Sequence, residues 1–129
     1  MAATAFTPAQ TALVVDDNRQ SADSLCQMLA ALGLDARPVY GPRGALMALD
    51  HFAPGMVFLD INMPGLDGFE VQAFLRRDPR LAETPVIFVT SDDQPETERK
   101  IRQTGSLGVL VKPVSLEELE AFLKLHHLI

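Results

Sequence analysis

The sequence predicts an α/β fold with a mostly parallel sheet and helices on both of its faces. Two observations predict it. Short apolar runs of strand length alternate along the whole chain with segments whose apolar residues recur at helical spacing, giving five of each. Parallel neighbours need right-handed helical crossovers, and an alternating order supplies them. A third observation bears on function: each of the four strong runs stops at polar residues, and a sheet of this kind binds ligands outside the carboxyl ends of its strands.

The elements follow in order. The first run, TALVV (11–15), ends at Asp16 and Asp17, and Leu25, Met28, Leu29 and Leu32 then mark a helix closed by Gly33. LDARPVY (34–40) is a weaker strand that Pro38 directs to a sheet edge. Pro42 opens a short amphipathic helix carrying Ala45, Leu46, Leu49 and Phe52. MVFLD (56–60) reads as a strand buried on both faces, yet it stops at Asp60. FEVQAFLRR turns Val71, Phe74 and Leu75 inward and halts at Asp78 and Pro79. PVIFVT (85–90), the polar helix PETERKIRQTG, and GVLVKP come next. The last helix starts with the capping pattern Ser115 to Glu118 and turns Leu116, Leu119, Phe122 and Leu123 inward.

Composition bounds the function. A chain of 129 residues, 47% apolar and 22% charged, suits one domain with a real core, here 11–129 after a flexible N-terminal tail over 1–10. The N-terminus lacks a signal-peptide pattern and no apolar run reaches transmembrane length, so the expected location is the cytoplasm. A net charge of −6 argues against general affinity for nucleic acid or anionic lipid. Cys26, the single cysteine, lies beside Leu25, Met28 and Leu29 and reads as a small core residue.

The strand-end residues are Asp16, Asp17, Asp60, Thr90 and Lys112 with Pro113. Each has a local reading: Asp17 or Asn18 as a helix cap, Asp60 as the opening of a turn with Asn62, Pro64 and Gly65, Thr90 as a β-branched strand residue, Lys112 as an edge charge. Five polar groups on one side of one sheet favour a joint role. Three carboxylates that close repel, and one is pushed towards protonation unless a cation neutralises them. All-oxygen ligation suits Mg²⁺, no Cys/His spacing supports zinc, and an aspartate beside a metal and a lysine can accept a phosphoryl group.

From LVVDDN through FLDINMPGLDG and FVTS to VLVKP, over roughly residues 11 to 125, the chain resembles the receiver domain of bacterial two-component response regulators. The resemblance implies a doubly wound (βα)5, flavodoxin-like fold with strand order 2-1-3-4-5. It implies that Asp60 is phosphorylated, that Asp16 and Asp17 hold Mg²⁺ with Asp60 and the backbone carbonyl of Asn62, and that Thr90 and Lys112 bind the phosphoryl oxygens. The phosphodonor implied is a phosphohistidine of a sensor histidine kinase or a histidine phosphotransfer protein. The chain then acts as a signalling switch rather than a turnover enzyme, either as a stand-alone receiver or as a domain of a larger protein, with its downstream partner unspecified.

Further expectations attach to single residues. The Lys112–Pro113 bond is expected to be cis. Asn62 and Asp92, two positions after the acceptor and after the threonine, are expected to affect hydrolysis of the aspartyl phosphate and make it rapid. Ser91 stands where alanine is common and narrows access to Asp60. Val109 replaces the usual aromatic of the fifth strand, so switching is expected to move 91–105 instead, while Leu107 is expected to make that face more apolar. His51, His126 and His127 read as surface or helix-terminal residues. Two rival readings are a phosphorylation-independent binding module on the same fold and a haloacid-dehalogenase-type phosphatase.

Overall fold

The structure, a computed structural model, describes residues 7–129. Five strands, β1 (Thr11–Val15), β2 (Asp35–Val39), β3 (Met56–Asp60), β4 (Val86–Thr90) and β5 (Gly108–Val111), form one sheet. The helices are α1 (Arg19–Ala31), α2 (Pro42–His51), α3 (Gly68–Arg77), α4 (Pro95–Arg102) and α5 (Leu116–Leu125). All pairings are parallel and the order is β2-β1-β3-β4-β5. Pro38 lies in the edge strand β2, where its missing N–H breaks no ladder.

The order dictates which helix covers which face. Moving from β1 to β2 runs one way across the sheet, and every later strand-to-strand step runs the other way. Right-handed crossovers therefore put α1 on one face and α2, α3 and α4 on the opposite one. Alternate strand residues feed the two layers. Leu13, Val15, Val57, Leu59, Val86 and Phe88 pack with Ala45, Leu49, Val71, Leu75 and Ile101. Ala12, Val14, Met56, Phe58, Ile87 and Val89 pack with Ala22, Leu25, Leu29, Leu119 and Leu123, so α5 joins α1.

Two details differ from the sequence reading. The expected flexible tail over 1–10 lies outside the described residues as far as residue 6, but Pro8–Gln10 forms a 3₁₀ turn. The Thr11 hydroxyl fixes that turn by donating to the Pro8 carbonyl at 2.6 Å and accepting the Gly55 N–H at 3.0 Å. Leu116, expected inward, is 40% exposed, because it opens α5 and the helix meets the sheet only from Leu119 onward. Cys26 is half-buried at the margin of the α1 and α5 layer, against which it packs, and burial first, then the Asp23 charge, pushes its thiol up to about 11, in keeping with a packing role.

The Ser115 cap forms: its hydroxyl oxygen accepts the Glu118 N–H at 3.1 Å. Glu118 completes the pattern differently, its carboxylate accepting the Ser115 hydroxyl at 3.2 Å.

Candidate functional site

The chain reverses direction across the sheet between β1 and β3, and the site lies at their carboxyl ends. Val15 is in register with Leu59, so the next residues, Asp16 and Asp60, stand side by side. Both are buried, at 4% and 7% exposure, whereas Asp17 is exposed. One carboxylate oxygen from each of the three lies within 4.8 Å of the others. The capping alternative resolves on Asn18, whose side chain accepts the Ser21 N–H at 2.9 Å and leaves Asp17 to the acidic cluster.

Backbone donors fix both buried carboxylates. Asp16 accepts the Asn18 N–H at 2.9 Å and Asp60 accepts the Asn62 N–H at 3.3 Å. The turn reading of Asp60 therefore holds together with the functional one. Gly68 brings the following loop against this strand end: a Cβ there would sit 2.5 Å from the Asp60 carbonyl oxygen. Only glycine permits that approach.

Lys112 reaches in from the end of β5. Its backbone N–H donates to the Thr90 carbonyl at 2.8 Å, and the bond to Pro113 is cis, as the resemblance implies. Its ammonium lies 2.6 Å from Asp16 and 3.9 Å from Asp60, so it pairs first with Asp16 and spans the two carboxylates. The Asp60 carboxyl is raised from 3.8 to about 6, chiefly by burial. Asp16, through its charge and a hydrogen bond, adds to the rise; Lys112 and the Asn62 N–H oppose it.

Thr90 ends β4 fully buried, and its hydroxyl oxygen accepts the Asp92 N–H at 3.0 Å. That bond uses a lone pair and leaves the O–H able to donate. Asp16, Asp60, Ser91, Lys112 and Pro113 line one cavity of about 490 Å³, floored by apolar residues including Phe58 and Val89. Asn62 and Asp92 line a second cleft of about 500 Å³ with Phe69, Thr97 and Lys100. The structure thus brings Asp16, Asp17, Asp60 and Lys112 together, lines the same cavity with Ser91 and Pro113, and places Asn62 and Asp92 along a second cleft.

The donor set fits Mg²⁺. All three side chains offer hard oxygen, the donor type that Mg²⁺ takes, and one oxygen of each lies within 4.8 Å of the others, so Asp16, Asp17 and Asp60 would hold the ion together.

A family model for the response regulator receiver domain matches residues 12–124. The chain belongs to this family. This receiver is 32% identical to the protein PilG of Pseudomonas aeruginosa over 114 residues, covering 88% of this chain and 84% of PilG. It is 30% identical to the polar-differentiation response regulator DivK of Brucella anthropi, covering 83% of the receiver and 87% of DivK. Against the positive alginate biosynthesis regulatory protein of P. aeruginosa it is 38% identical but spans only 45% of that protein. Among solved structures, the chemotaxis response regulator CheY4 of Vibrio cholerae superposes with a TM-score of 0.81 at 26% identity, covering 92% of the receiver and 98% of CheY4. The signal receiver domain of a DNA-binding response regulator from Colwellia psychrerythraea superposes with a TM-score of 0.82 at 28% identity, covering 91% and 97%. Family membership supports a phosphorylation-based signalling switch; receiver domains typically bind Mg²⁺ at an acidic pocket, and this chain has an acidic cluster of Asp16, Asp17 and Asp60.

Several contributors escaped the sequence reading. Asp67 caps α3 by accepting the Glu70 N–H at 2.9 Å, and the Glu70 carboxylate accepts the Asp67 N–H at 3.2 Å, which anchors the loop beyond Asp60. The Asp67 to Glu70 spacing carries that signal. Phe69 packs on the buried Phe88 with ring centroids 5.1 Å apart and carries the Lys100 ammonium 4.5 Å over its face. Val109 is half-buried against the α2, α3 and α4 layer, as a residue with no ring to swing outward. Leu107, expected to enlarge the exposed apolar face, packs against the α1 and α5 layer instead. His51 closes α2 at the surface and His126 caps α5 with its ring on Phe122, matching their helix-terminal reading.

Proposed function

We propose that this receiver, residues 11–129, accepts a phosphoryl group on Asp60 from a phosphohistidine of a sensor kinase or phosphotransfer protein in the cytoplasm. It then passes the signal to a protein partner and loses the group by hydrolysis. The observation that carries the reading is the convergence on Asp60: a buried carboxylate at a strand end, beside a second buried carboxylate, with one lysine spanning both.

Each residue has a task. With its carboxyl near 6, Asp60 is roughly nine-tenths ionised at neutral pH and can act as nucleophile. One of its oxygens bonds to phosphorus as the phosphorus–nitrogen bond breaks, and the pair returns to the imidazole. Asp16, Asp17, Asp60 and the Asn62 carbonyl hold Mg²⁺, which neutralises phosphoryl charge when bound. Lys112 leaves Asp16 for the phosphoryl oxygens over a short distance, since it already reaches to 3.9 Å from Asp60. The Thr90 hydroxyl donates to another phosphoryl oxygen, and Ser91 and Pro113 shape the entrance. Hydrolysis forms a water oxygen–phosphorus bond and returns the carboxylate to Asp60.

The test uses a small phosphodonor with Mg²⁺ and intact-protein mass spectrometry. One added phosphoryl group is expected, absent in Asp60→Asn and when Mg²⁺ is chelated. An adduct that persists in Asp60→Asn refutes the assignment. Beryllofluoride with Mg²⁺ is expected to shift amide resonances around Asp60, and no shift would favour a phosphorylation-independent binding module.

A further inference from the structure

Helix α3 begins against the backbone of Asp60. The Gly68 N–H donates to the Ile61 carbonyl at 3.1 Å, and a Cβ on Gly68 would lie 2.5 Å from the Asp60 carbonyl oxygen, so the chain at 68 has no clearance from the chain at 60. Asp67 and Glu70 cap this end reciprocally and hold it stiff. Phe69 comes next, half-buried, and its ring meets two groups. One is the fully buried Phe88 of β4, with ring centroids 5.1 Å apart. The other is the ammonium of Lys100 in α4, 4.5 Å from the ring centroid and so within cation–π range. Among the described residues Lys100 enters no ion pair, which leaves its charge to the ring face. Phe69 and Lys100 also wall one cleft with residues 61–64, which follow Asp60 directly.

We propose that Phe69 relays occupancy of Asp60 to α4, with Lys100 as its contact on that helix. The inference rests on the phosphoacceptor reading above. A phosphoryl group on Asp60, with the ion drawn to the Asn62 carbonyl, displaces the backbone at 60–62. Gly68 already touches Asp60 and cannot absorb that change, so the first turn of α3 moves with it. Close-packed interiors transmit such shifts rather than absorb them. Phe88 is fixed in the core, whereas Lys100 is exposed on a helix that buries Ile101 alone, so the contact that gives is the one on α4. Val109 packs against the same layer as Phe69 but has no ring to carry a displacement, and the route bypasses β5. α4 then has one position for each state of Asp60, and the Phe69–Lys100 contact is part of what separates them.

The experiment records amide chemical shifts before and after addition of beryllofluoride with Mg²⁺ in wild type, Phe69→Leu, Lys100→Gln, Lys100→Arg and the double variant of the first two. Leucine keeps an apolar side chain against Phe88 and removes the ring. Glutamine removes the charge at an exposed position, where folding does not depend on it. In wild type the ligand is expected to shift amides at Asp60 and along α4. In Phe69→Leu and Lys100→Gln the shifts at Asp60 are expected to stay, while those along α4 fall about twofold, which is what loss of one exposed cation–π contact supports. Lys100→Arg is expected to keep the wild-type response, since a guanidinium also stacks on a ring, and in the double variant the two losses are expected not to add. A merely structural role would change the melting temperature of the unliganded protein without separating α4 from Asp60 in this way. Shifts along α4 as large as wild type in both single variants overturn the proposal, as does a wild-type response confined to the surroundings of Asp60. Wild-type protein with no shift at Asp60 overturns the functional reading instead.

Discussion

α1 and α4 flank the same site and are held in place by different forces. α1 buries Ala22, Leu25 and Leu29 in the core, while α4 buries Ile101 alone. What α4 lacks in apolar contact it replaces with polar ties: Thr97 to Asp92, Lys100 over Phe69, and, in the turn that follows the helix, the Thr104 carbonyl accepting from the buried Gln72 amide at 3.3 Å. Such ties can be exchanged one at a time without opening a cavity, whereas displacing Leu29 cannot be done in steps. The element next to Thr90 that can move at low cost is therefore α4. Val109 fits this division, because it is packed against the apolar layer rather than held by polar ties.

The sharpest way to break the comparison is to remove an anchor from α1. Leu29 is fully buried, so Leu29→Ala is expected to lower global stability by about 2–5 kcal/mol in urea unfolding. Loss of under about 1 kcal/mol would mean that α1 is no more firmly held than α4.

The second test concerns charge at the site. The Asp60 carboxyl is raised from 3.8 to about 6, so between those values the folded state binds more protons than the unfolded one. Stability then falls as pH rises through that window and levels off above it. Asp60→Asn removes the penalty, and without metal the variant is expected to exceed wild type at neutral pH by about 1–2 kcal/mol after allowance for solvent screening. The gap closes near the ordinary carboxylate range and narrows when Mg²⁺ is added, since Mg²⁺ stabilises wild type more. A variant less stable than wild type at neutral pH would remove the case for strain at Asp60.

The strands and the acidic site were legible because both depend on local pattern. TALVV and MVFLD are apolar runs long enough to cross a sheet, and Asp16 and Asp60 come next to each other through parallel register alone. Partner choice among polar groups was not legible. Lys112 bonds Asp16 more closely than Asp60, Asp92 is taken by Thr97, and Gln72 is buried on the inner face of α3. Each depends on packing between elements distant in sequence or on a rotamer choice that spacing does not encode. Leu116 misled for a related reason, since helical spacing gives a face but not where along the helix that face meets the sheet.

Amide hydrogen exchange would sharpen the contrast between the helices. Amides of α4 are expected to exchange through local opening at a lower free energy than those in the middle of α1, and to slow when beryllofluoride and Mg²⁺ are added. Equal protection in the two helices without ligand would show that the polar ties hold α4 as well as the core holds α1.

The smallest effect is expected from the ion pair on the outer face of α4. Arg102 meets Glu98 at 2.7 Å one turn away, but the side chains are 76% and 50% exposed. Water and salt screen such a pair, and fixing two long side chains costs entropy, so an i,i+4 pair of this kind contributes about 0.3–0.5 kcal/mol. Arg102→Gln should lower stability by no more than that at low salt and by less at high salt, because the Debye length shrinks. It should leave decay of the aspartyl phosphate unchanged, as both side chains are exposed and neither bonds Asp92. A larger loss, or altered decay, would show that charge on the outer face helps to hold α4 in place, and the division between a core-anchored α1 and an α4 tied through Asp92, Phe69 and Gln72 would have to be redrawn.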